Sequence, residues 1–101
     1  MEIWEDPVVL DRILDYLDTH QFLASFTSLG GLPLREGAHC HCSDPRRVGD
    51  DLDLRCEVSF EELVGYGAAA AQRLRQSGEV HLRLDAAGQV KDAWLCRPDS
   101  C

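Results

Sequence analysis

The chain has 101 residues, 45% of them hydrophobic, and a formal net charge of −8. That length and apolar content describe one small globular domain, residues 1–101, rather than a disordered segment. No apolar run approaches the roughly 20 residues of a membrane span. The acidic balance also denies nucleic acid and anionic lipid the basic footprint they require.

The charge is skewed, with six acids against one base in residues 1–24. A basic protein surface is the partner class that such a charge steers toward. Met1–Pro7 has neither the basic region nor the apolar core of a signal peptide, so a cytoplasmic location is expected. There the five cysteines stand as reduced thiols, and their odd number weighs against full pairing.

Asp6-Pro7 opens a helix, with Asp6 as the N-cap and Pro7 at the first helical position. Val9, Leu10, Ile13, Leu14 and Leu17 recur at helical spacing, and the helix extends to about His20. Phe22–Thr27 reads as a first strand, broken by Gly30-Gly31-Leu32-Pro33. Gly37–Cys42 reads as a second strand. A polar loop with Arg46 and Arg47 follows, between Ser43-Asp44-Pro45 and Gly49-Asp50.

The clearest strand comes next. Leu52, Leu54, Cys56 and Val58 alternate with Asp51, Asp53, Arg55 and Glu57, which gives one buried face and one wet face. Ser59 and Glu62 then form a capping box, with Val58 and Leu63 as its hydrophobic staple, and predict a second helix ending at Gly78. Its stripe is Phe60, Leu63, Val64, Ala68, Ala71 and Leu74, and its glycines and alanines leave it thin. Glu79–Leu84 alternates as a strand, Asp85-Ala86-Ala87-Gly88 turns, and Val90–Cys96 returns. Residues 97–101 read as a frayed tail.

The expected fold is α+β: an antiparallel sheet of four to five strands with two helices packed on one face, in the order α-β-β-β-α-β-β. This element order resembles that of secretion-chaperone folds, which are also small and acidic. The hairpin Val80–Val90 is similar to the Asp-x-x-Gly hairpin of TonB carboxy-terminal domains. Neither likeness carries a shared functional motif, and neither is taken further.

His39-Cys40-His41-Cys42 concentrates metal-binding and redox chemistry in one segment. Strand alternation divides it. Cys40 and Cys42 share a face with Cα atoms about 6.6–7 Å apart, while His39 and His41 point the other way. The plain reading makes the cysteines small buried hydrophobes. The alternative is a metal-handling or thiol-redox protein using Cys40 and Cys42, with thiolates that would suit Cu(I) or Zn(II).

Asp11, Asp15 and Asp18 share one helix face and offer a carboxylate row to a basic partner or to water. Trp94 competes with Ala93 and Leu95 for the inward face, and an outward Trp is an interface anchor. There is no Gly-rich phosphate loop, G-x-S-x-G or H-E-x-x-H. The reading is a non-enzymatic protein-binding module without a cofactor, an inhibitor, immunity protein, chaperone or regulatory subunit docking on a basic protein. Homodimerisation through the thin second helix or an open sheet edge fits the same data.

Overall fold

A computed structural model describes residues 2–65 and 71–95. Helix α1, Pro7–Thr19, begins where the cap predicts, and the Val8 N–H donates to the Asp6 carboxylate at 2.9 Å. Val9, Ile13, Leu14 and Leu17 are its buried stripe. Four strands follow: β1 Leu32–Val48, β2 Asp51–Val64, β3 Gln72–Leu84 and β4 Val90–Leu95. They pair antiparallel in the order β1-β2-β3-β4, so each strand lies beside its neighbour in sequence. The class is α+β, and no helix among the described residues is long and apolar enough to cross a membrane.

Three expected elements are corrected. The expected polar loop with Arg46 and Arg47 is strand as far as Val48, because Arg46, Arg47 and Val48 pair with Asp53, Leu52 and Asp51 of β2. Leu23–Phe26, within the expected first strand, is a short 3-10 turn that buries Leu23. The second helix gives way to sheet: Ser59–Val64 continues β2 and Gln72–Gly78 belongs to β3. Residues 66–70 of that expected helix, and the expected tail at 97–101, lie outside the described residues. The physical reason lies in pairing. The register from Leu52↔Leu84 to Val64↔Gln72 runs without a shift, so the upper half inherits the alignment of the strongly apolar lower half. Tertiary pairing of this kind overrides a local helix signal. Among the described residues the order is therefore α-β-β-β-β.

The even-numbered side of β2 faces α1. Leu52, Leu54, Cys56, Val58, Phe60 and Val64 are buried there, with Val80, Leu82 and Leu84 beside them on β3. Each large apolar side chain so buried contributes about 1.5–3 kcal/mol. Gly78 also lies on this side, opposite Val58, and a Cβ there would overlap the Phe26 ring. The glycine expected to stop a helix is thus a strand position that admits an aromatic ring.

Glu62 is the buried acid of the core, with 0% exposure. Ser28, Leu29 and Gly31 donate backbone N–H groups to its carboxylate at 2.9, 3.2 and 2.7 Å, and Gln76 Nε2 donates at 2.9 Å. Burial pushes its pKa up, but these hydrogen bonds outweigh that and hold it below the ordinary value. The expected capping acid is therefore a tie between β2 and the loop that leads into β1.

Two irregularities bend β1, between Leu34 and His39 and between Ser43 and Arg46. Each contains a residue with positive φ, Gly37 at 79° and Asp44 at 53°. Such bulges raise local twist and re-aim side chains.

Candidate functional site

The face of the sheet turned away from α1 is organised by register into rows. Arg46, Asp53, Arg83 and Asp92 form one row across all four strands, with charges alternating in sign. Ser43, Arg55, His81 and Trp94 form the next, and His41, Glu57 and Glu79 the one after. Odd-numbered positions of β2 place these groups outward because successive side chains of a strand alternate between faces.

The strongest contact is Asp53 with Arg83. The guanidinium donates from Nε at 2.6 Å and from Nη2 at 3.0 Å to the two carboxylate oxygens. These bonds hold the Asp53 carboxyl below its usual range. Arg46 stands opposite Asp53 in the ladder but makes no direct ion pair among the described residues.

Arg55 is held more loosely. Asp44 reaches its Nη1 at 3.5 Å, and Glu79 lies 3.3 Å from its Nε. Asp44 is largely exposed, and an exposed pair of this kind contributes only about 0–1 kcal/mol. Glu79 does not align for a hydrogen bond, and the buried Arg55 Nε has no acceptor among the described residues. His81 Nε2 is also buried without a partner. The Trp94 ring meets the His81 ring edge-on at 5.7 Å between centroids.

The bulge at Asp44 opens a groove of about 500 Å³ beside these groups, lined by Asp44, Pro45, Arg46, Asp53, Arg55 and His81. The groove has no counterpart among the expectations from sequence. Arg46 was visible only as a loop arginine and His81 as one residue of an alternating strand. The signal in the sequence is the Ser43-Asp44-Pro45 turn next to two arginines, and it does not reveal which strands face it.

The other expected site residues separate. Ala93 turns inward opposite Leu82, and Trp94 turns outward opposite His81 with 37% exposure. Asp11 and Asp15 are both taken by Arg35 of β1, with Arg35 Nε donating to Asp15 at 2.8 Å and Nη2 to Asp11. Asp18 has no part in that cluster, so the expected carboxylate row is already partly neutralised within the chain.

The His/Cys segment divides as alternation requires. Cys40 and Cys42 face the core, opposite Val58 and Cys56, while His39 and His41 are exposed on the other side. Cys42 and Cys56 form a disulfide with Cα atoms 4.2 Å apart, which corrects the expectation of reduced thiols at this pair. The cause is register: the two residues are direct cross-strand neighbours at close spacing. The Cys40 thiol donates to the Leu10 carbonyl at 3.7 Å, and burial pushes its pKa up to about 11, partly offset by Arg35. Among the described residues no three His, Cys, Asp or Glu side chains come together as a metal site.

Comparison with protein-family models, curated proteins and solved structures gives no match.

Proposed function

We propose that the chain is a non-enzymatic protein-binding module that docks on a basic protein through the open face of its sheet. The observation that carries this reading is the row beside the groove. Glu57 and Glu79 stand directly opposite each other on that face, two acids at adjacent positions of neighbouring strands. Arg55 already meets Glu79 at 3.3 Å, so Glu57 is the acid of this pair without an ion pair among the described residues, and a lysine or arginine from a partner can take it. Trp94, one row away, supplies a large amphipathic ring at the edge of the same face. The overall charge of −8 steers a basic partner toward the molecule from a distance.

Asp11, Asp15 and Asp18 become a secondary contact in this reading, because Arg35 already occupies two of them. A second copy of the chain is the competing occupant of the face, and sedimentation at several concentrations separates that case from a distinct partner. A cytoplasmic setting accompanies the proposal, with the condition that Cys42 and Cys56 would be reduced there.

The test is a complex recovered from native extract by the wild-type chain and challenged with salt. The expected result is a partner lost at high ionic strength and lost at low ionic strength with Glu57→Lys/Glu79→Lys. A complex indifferent to both changes would remove the sheet face from consideration.

A further inference from the structure

The groove beside Asp44 holds a combination that docking on a basic surface does not use. Among the described residues two buried side-chain nitrogen atoms lack a hydrogen-bond partner, Arg55 Nε and His81 Nε2. Their residues are direct cross-strand neighbours, and both line the same groove. Arg46 stands at the groove with its guanidinium free of any direct ion pair among the described residues. Three nitrogen-bearing side chains therefore line one space, and apart from the loose ion pairs of Arg55 with Asp44 at 3.5 Å and Glu79 at 3.3 Å they lack acceptors there.

We infer that this groove binds a carboxylate group, held by the guanidinium groups of Arg46 and Arg55 and by the His81 imidazole. A planar carboxylate matches the forked donors of a guanidinium. Asp44 is the group it displaces, since that side chain is exposed and reaches Arg55 only at 3.5 Å. Asp53 does not oppose the ligand strongly, because Arg83 holds both of its oxygens. Pro45 gives the groove an apolar wall, and Trp94 fixes the His81 ring from outside. The inference does not rest on the docking proposal, because the ligand is acidic and the proposed partner basic, although Glu79 beside Arg55 and Trp94 beside His81 belong to both surfaces.

The carboxylate belongs to a small organic acid or to the C-terminus of a peptide. Titration followed by proton–nitrogen correlation spectra that resolve arginine Nε–H and the imidazole distinguishes these sources. The probes are sodium acetate, an alanine tripeptide with a free C-terminus and the same tripeptide amidated, each at constant ionic strength against sodium chloride. The expected result is saturable movement of the Arg55 and His81 signals with acetate or with the free tripeptide. Binding weakens at least tenfold in Arg55→Gln and in Arg46→Gln and is unchanged in Arg73→Gln at the far end of the sheet. Arg46→Gln alters an exposed side chain, so it serves if Arg55→Gln fails to fold. Equal affinity for acetate and the free tripeptide identifies a small acid, and preference for the tripeptide identifies a peptide terminus. Movement that does not saturate, that chloride reproduces, that the amidated peptide matches, or that Arg46→Gln leaves intact would overturn the inference.

Discussion

The two halves of the β2–β3 ladder share one uninterrupted register but are held by different physics. The lower half, Asp51–Val58 against Gly78–Leu84, buries an unbroken apolar row beneath α1 and carries the Cys42–Cys56 bond to β1. In the upper half, Ser59–Val64 against Gln72–Ser77, the inward row holds the acid Glu62 between Phe60 and Val64. Its stability rests on five hydrogen bonds to that acid and on the ring of Phe60. Register can therefore be set by a hydrophobic segment and extended into one whose own sequence prefers another conformation.

The largest effect expected from this comparison is at Phe60. Phe60 is fully buried, and Phe60→Ala should cost about 3–5 kcal/mol in urea unfolding. A cost below about 1 kcal/mol, the scale of a surface change, would mean that the upper half is not part of the common core. Next comes reduction of the disulfide, whose partners are 14 residues apart. For a loop of that size, loss of the crosslink lowers stability by about 3 kcal/mol. Urea curves with and without a dithiol reductant measure it, and identical midpoints would remove the disulfide from the lower half's account.

Gly78→Ala sharpens the junction between the halves. Its new methyl meets the Phe26 ring, and overpacking of this kind costs about 1–3 kcal/mol. Adding Phe26→Leu should recover part of the loss; additive losses from the two changes would contradict the contact. The last effect is a slope rather than a height. Glu62 has a depressed folded-state pKa, so its contribution is present above its unfolded value of about 4.3 and fades as pH falls through the lower folded value. Glu62→Gln should flatten the acid limb of a stability–pH curve, and an unchanged limb would assign it to other carboxylates.

The lower half was legible because its pattern is self-sufficient. Asp6 and Pro7 mark the start of α1, and the alternation from Asp51 to Val58 identifies both strand and face. The Asp85–Gly88 turn and its flanking strands were also readable. The upper half was not, because Ser59, Glu62 and the staple pair form a locally valid helix start. Only the alternation carried on by Phe60 and Val64 argued otherwise, and Glu62 interrupts it. Most of what satisfies Glu62 lies more than 30 residues away in the Ser28–Gly31 loop, and the rest comes from Gln76 across the β2–β3 pairing, beyond any short-range pattern. The candidate site was readable in its parts, since alternation correctly divided cysteines from histidines. It could not show Arg55 beside His81, a relation set by the β2–β3 register.

The two bulges of β1 have a further consequence. A long outer strand with free backbone groups is a template on which other chains can assemble into fibrils. In β1 regular register never lasts longer than the five residues from His39 to Ser43. Segments that form dry zippers need about six or seven. The kink that opens the groove at Asp44 therefore also shortens the edge, and one backbone irregularity both makes room for a ligand and discourages self-assembly.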